Sequence, residues 1–163
     1  MIRRFAPAAG LLAMLLSPAA APAQQPMPPQ SAAAAALAAE RVFCGQPVAV
    51  QFAGGDAVPE PYRRFLGMFS DAAWTPQLCA ALIVENATQD GTATIVYVFG
   101  PMGAEGRGSG GVLHGTGIIR NDELRFQNSD GSQFVFRPLY ADLDGRLTTP
   151  RGQSYEAVFK KTP

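Results

Sequence analysis

The chain has 163 residues, and its 13 Lys plus Arg balance 13 Asp plus Glu, leaving no formal net charge. That balance excludes an electrostatic case for nucleic acid or an anionic membrane surface as a partner, since both need clustered positive charge. With 47% hydrophobic residues, the length fits one domain built around one core.

Residues 1–23 read as a signal peptide. Met1-Ile2-Arg3-Arg4 supplies a positive start, Ala8 to Leu16 a short apolar run, and Ala21-Pro22-Ala23 a small-x-small cleavage pattern. The run is shorter than the ~20 apolar residues that a bilayer-spanning helix needs, which weighs against an uncleaved anchor. No cysteine lies near the cleavage point, so a lipid anchor is not expected either. The expectation is export to the periplasm or secretion, with no stable membrane anchor after cleavage. The mature chain would have about 140 residues, within the range of one domain.

Residues 24–39 form a Pro- and Ala-rich low-complexity tether, in which Ala32 to Ala39 has the propensity for a short N-terminal helix running toward Arg41. The remainder, 40–163, is the folded domain. Cys44 and Cys79 are the only cysteines. In an oxidising compartment they permit one disulfide, worth roughly 3–4 kcal/mol for a loop of about 35 residues. The alternative is two buried free thiols. A metal site is not expected, because His114 is the only histidine and no close cysteine pair exists.

Val48 to Phe52 alternates as a strand and stops at Gly54-Gly55-Asp56. Tyr62, Phe65, Leu66 and Phe69 then recur at i, i+3, i+4 and i+7 behind Pro61, which predicts a two-turn helix with one aromatic face. From Trp74 onward the pattern is repeated strands. Leu78 to Ala87 and Thr92 to Phe99 flank the turn residues Gln89-Asp90-Gly91. Val112 to Arg120, Glu123 to Gln127 and Ser132 to Arg137 follow across Asn121-Asp122 and Ser129-Asp130-Gly131. Arg146 to Thr149 and Tyr155 to Lys161 complete the series, after turns at Asp142 to Gly145 and at Arg151-Gly152. Evenly spaced strands joined by Asp-Gly-type turns predict consecutive antiparallel pairing.

Three of these strands carry aromatic residues on one face and polar residues on the other: Leu124 and Phe126, Phe134 and Phe136, Tyr155 and Phe159. Thr92 to Phe99 is apolar on both faces, so its outer side must be covered. The Tyr62 to Phe69 helix and the segment held by Cys44 are the two candidates.

Trp74, Leu82-Ile83-Val84-Glu85, Asp90-Gly91-Thr92-Ala93, Val96-Tyr97, Gly100, Leu124 and Asp144-Gly145-Arg146-Leu147 occur in an order that resembles a family of uncharacterised bacterial secreted β-domains. The run is also similar to the C-terminal extension of some exported dienelactone-hydrolase-like proteins. More broadly it resembles calycin or lipocalin-like barrels, which carry a Trp near the first strand. The resemblance covers Trp74 to Lys161 and implies a small antiparallel up-and-down β-barrel. It assigns no functional residue, and the hydrolase's nucleophile-elbow pattern is absent from this sequence.

Gly106, Gly108 and Gly111 formally match a dinucleotide-binding glycine pattern, but Val112 to Ile118 after them reads as strand rather than the required helix. The segment is better read as a loop at a barrel mouth, and it contains Arg107. His114 invites catalysis because it is unique, with Ser109 and Asp122 the nearest triad candidates, but the pattern gives no reason for them to converge. Glu85 interrupts an apolar strand. Pointing inward it would be a site candidate, and outward, the favoured reading, a polar wall residue. Asp142-Leu143-Asp144-Gly145 lacks the later ligands of a calcium loop and reads as a turn.

The inward aromatic set of Trp74, Tyr97, Phe99, Phe126, Phe134, Phe136, Tyr155 and Phe159 permits either a filled core or a ligand cavity, with Gly115 and Gly117 thinning the wall. The leading expectation is a non-enzymatic exported binding protein. It would take a small apolar ligand, or a protein partner, at a mouth formed by Trp74, Tyr97, His114 and Arg107, with no cofactor. An inhibitor or accessory module of an exported hydrolase, and a small hydrolase using His114, are the alternatives.

Overall fold

The computed structural model describes residues 39–102 and 109–163. The expected signal peptide, the tether before Ala39 with most of its expected alanine helix, and Arg107 with most of the glycine-rich loop lie outside the described residues.

Alternation of rings and polar groups closes the second half of the chain on itself. Strands β3 (Gly67–Thr75), β4 (Leu78–Ala87), β5 (Thr92–Pro101), β6 (Gly111–Arg120), β7 (Glu123–Gln127), β8 (Gln133–Leu139), β9 (Asp142–Thr148) and β10 (Ser154–Thr162) form a closed antiparallel barrel in sequential order, with β10 pairing back onto β3. β1 (Ala39–Phe43) and β2 (Gln46–Val50) form a separate two-stranded hairpin. The expected helix approaching Arg41 is therefore strand from Ala39 onward. Arg41 lies opposite Val48 in the β1–β2 ladder.

Two apolar clusters follow from this layout. Inside the barrel, Phe69, Trp74, Leu82, Tyr97, Leu124, Phe134, Phe136, Leu143 and Phe159 pack together. Outside it, Phe43, Val48 and Val50 of the hairpin cover Ala81, Ile83, Val96 and Val98, the outward residues of β4 and β5. The segment held by Cys44 thus supplies the cover that the two-sided apolar strand required. At the hairpin tip, Cys44 (φ 50°) and Gly45 (φ 74°) both take positive φ, as a two-residue type I′ turn demands. Cys44 is disulfide-bonded to Cys79 on β4, with Cα atoms 5.6 Å apart.

The predicted Tyr62 to Phe69 helix is instead a short 3₁₀ segment, Glu60–Phe65, ending at an extended Leu66 (ψ 140°). Gly67, at φ 121°, then turns the chain into β3, whose Phe69 points inward and Met68 outward. All four residues of the apparent helical stripe do meet in the inner cluster, but from two kinds of backbone. The 3₁₀ segment caps one end of the barrel. Phe65 is fully buried there, Arg64 is ion-paired with Asp122, and Lys161 Nζ donates to the Leu66 carbonyl at 2.9 Å.

At three hairpins the same five-residue turn recurs. In Thr88–Thr92, Asn128–Ser132 and Thr149–Gln153 the first N–H bonds the fifth carbonyl at 2.8–2.9 Å, and the fourth residue, glycine, bonds back to the first at 2.9 Å. The Asp90 carboxylate accepts from the Thr88 and Thr92 hydroxyls and the Thr92 N–H, which lowers its pKa to about 2.

The expected turn at Asp142 to Gly145 lies inside β9. The reversal falls at Tyr140-Ala141 instead, with Tyr140 at φ 56°. Gly145 is glycine for a packing reason. A Cβ there would come within 2.8 Å of the Phe159 ring and 2.9 Å of Phe136.

Candidate functional site

The interior is filled at its centre. Trp74 on β3 reaches across the lumen to Phe134 and Phe136 on β8, with ring centroids 6.2 and 6.4 Å away, and Tyr97 on β5 lies 4.8 Å from Phe134. Trp74 Nε1 donates to the Tyr97 hydroxyl at 2.7 Å. Both side chains are 4% exposed, and burial pushes the Tyr97 phenol up to about 12.

Space opens where two strands part. β6 and β7 pair only over Ile118 to Arg120 against Glu123 to Arg125, so Phe126 and Gln127 of β7 are laddered to β8 but not to β6. The first half of β6 is therefore bonded on one side only, to β5. Between it and the end of β7 lies a cleft of about 380 Å³. Ile95, Tyr97, Leu113, Gly115 and Phe126 form its apolar part, with Gln127, Asn128 and Ser129 along one polar edge and His114 and Thr116 along the other. The inward Cβ position of Gly117 is taken by Leu124, whose Cδ1 would lie 2.6 Å away, whereas that of Gly115 has no atom within 4 Å. Of the two glycines expected to thin the wall, Gly115 faces open space.

Of the expected ligand set, Tyr97 lines this cleft and Trp74 sits behind it as the hydrogen-bond partner of Tyr97. His114 also lines the cleft, at the edge of β6, but its side chain is on the outer face. Its neighbour Leu113 packs inward, Val112 packs with the outer cluster, and His114 itself is exposed. Asp122 lies eight residues along the chain from His114, roughly 26 Å at strand rise, and is bonded to Arg64. Ser109, His114 and Asp122 are not brought together.

Glu85 faces outward at a bulge between Val84 and Asn86, where its side chain accepts the Gln51 N–H at 3.0 Å. Its carbonyl accepts the Ala53 N–H at 3.0 Å, so Glu85 fastens the end of the covering hairpin to the barrel.

The sequence reading missed Ile95 and Leu113. Both share the inward parity of Tyr97 and Gly115, so strand alternation carried the signal. It also missed Glu123, an 8%-exposed carboxylate on the outer face. Arg125 and Arg137 donate to it through Nε at 2.7 and 2.6 Å and hold its pKa below the ordinary carboxylate value.

Fold and site together define a small closed β-barrel, capped at one end and split between two strands toward the other. No known protein family, no curated protein and no solved structure matches this chain.

Proposed function

We propose that this protein is an exported, non-enzymatic binding protein with a lipocalin-like barrel, which takes a small apolar ligand in the cleft between β6 and β7. The bare inward position at Gly115 carries the reading. It is an unfilled site beside Tyr97 and Phe126 in a barrel whose glycine positions 117 and 145 are occupied by neighbouring side chains. The cleft volume of about 380 Å³ falls within the range of small-molecule sites, and Ile95, Tyr97, Leu113 and Phe126 give it an apolar floor. The ligand would lie in the wall rather than deep in the lumen, since the rings occupy the centre. Export is supported by the signal-like N-terminus and by the Cys44–Cys79 disulfide, which suits an oxidising compartment.

Titration of the purified protein with the uncharged fluorophore N-phenyl-1-naphthylamine tests the reading. A saturable signal is expected from the wild type. Gly115→Leu, which fills the cleft without a positive-φ backbone to strain, should abolish it. Equal binding by both proteins would remove the cleft as the site.

A further inference from the structure

The rings at the cleft share an orientation. Phe126 lies within 13° of parallel to Phe134, at 4.6 Å between centroids, and within 14° of Phe136 at 5.8 Å. Phe134 and Phe136 are buried, whereas Phe126, which lies near-parallel to both, is half-buried and is the ring of the three that reaches the cleft. Tyr97, tilted 55° to Phe126 at 5.8 Å, bounds the next side, and Gly115 leaves the third side bare. A flat ring entering this slot can stack on or meet the edge of an existing ring, geometries that aromatic pairs favour. It also loses little conformational freedom on binding, unlike a flexible chain.

Charge is the second property. Among the described residues no Asp, Glu, Lys or Arg lines the cleft; Gln127, Asn128 and Ser129 line one side, and Thr116 and the outward-facing His114 line the edge of β6 on the other. The nearest carboxylate in the turn, Asp130, is held by the Ser132 N–H at 2.8 Å and the Ser132 hydroxyl at 3.1 Å. Its negative charge is felt at Tyr97. A charged ligand group drawn into such a cleft would shed water without meeting a counter-charge, and an anion would also meet the field of Asp130.

We propose that the cleft selects uncharged, planar aromatic molecules, seated over Gly115 against the rings of Tyr97 and Phe126, and discriminates against their anionic congeners. The inference rests on the binding function proposed above and specifies its ligand class.

Matched probes separate the two. N-phenyl-1-naphthylamine and 1-anilinonaphthalene-8-sulfonate share one ring skeleton and differ by a sulfonate, and 1-naphthol and 1-decanol share ten carbons and differ in planarity. The neutral amine should bind roughly tenfold or more tightly than the sulfonate, and 1-naphthol should displace it roughly tenfold or more effectively than 1-decanol. Phe126→Leu, which keeps an apolar side chain but removes the ring, should erase the preference for 1-naphthol. Saturable binding of the amine with an equally tight sulfonate, or with an equally effective decanol, would overturn this inference and leave the binding function intact. No saturable binding of the amine would remove the binding function, and the ligand class with it.

Discussion

Tyr97 links the packed centre of the molecule to its cleft. Its hydroxyl accepts the Trp74 N–H inside a cage of rings, so Tyr97→Phe leaves that buried donor without its acceptor. The expected cost is about 1–3 kcal/mol, read as a lower midpoint in urea unfolding. The same hydroxyl makes stability depend on alkali. Its pKa in the fold, about 12, lies above the ordinary 10 because burial disfavours the phenolate. The stabilisation from keeping it neutral is therefore complete below pH 10 and is lost as the pH rises through 10 toward 12. Unfolding midpoints measured across that window should fall more steeply for the wild type than for Tyr97→Phe. Parallel slopes would show that Tyr97 ionises as freely in the fold as in the unfolded chain.

Among the elements, the β1–β2 hairpin has the clearest separate role. It covers the outer apolar faces of β4 and β5, and Cys44–Cys79 ties its tip to the wall. Replacing both cysteines by serine should cost about 3–4 kcal/mol. Amide exchange should then accelerate first in Ala39–Val50, while β7 to β10 keep their protection. Uniform acceleration across the barrel would mean that the hairpin is not a separable cover.

This hairpin also shows what the sequence could disclose. Val96 and Val98 opposite Tyr97 and Phe99 announced that β5 is buried on both sides, and the cysteine spacing offered one of two covers. Period-two patterns likewise located β7, β8 and β10 to within two residues at each end, because one wet face leaves an unambiguous alternation. Features whose cause is non-local stayed hidden. Gly145 follows Asp144 as a turn glycine would, yet it exists to admit two rings from other strands. The real reversal uses Tyr140 and Ala141, which carry no turn signature. Tyr62 to Phe69 has helical spacing only because a cap and a strand deliver their side chains to one cluster. The cleft was legible in part. The inward parity of Tyr97 and Gly115 was available, but the early end of the β6–β7 ladder depends on where the neighbouring turn packs.

At the scale of the whole molecule, the barrel is joined along two narrow seams. β10 meets β3 only over Lys160–Thr162 against Met68–Ser70, and β6 meets β7 over an equally short stretch. The first seam is reinforced by the Ser70–Thr162 hydroxyl contact at 2.7 Å and by Lys161, whose Nζ donates to the Leu66 carbonyl just before β3 at 2.9 Å. Ending the chain at Phe159 would remove the pairing that closes the ring. At about 1 kcal/mol for each hydrogen bond lost, the midpoint should drop by an amount equivalent to about 3 kcal/mol or more. A truncated protein as stable as the parent would mean that closure contributes nothing.

Between those seams lie two four-stranded halves, β3 to β6 and β7 to β10, and the covering hairpin is tied to the first half alone. Widening the entrance beside Gly115 by swinging the halves apart like the covers of a book would break the short β6–β7 join while every longer ladder stays intact. The ring cluster opposes that motion, because Trp74 and Tyr97 belong to one half and Phe126, Phe134 and Phe136 to the other. The cap at Glu60–Phe65, bonded through Arg64 to the β6–β7 turn and followed by Leu66, whose carbonyl accepts from Lys161 of β10, reaches from one seam to the other and holds the capped end together.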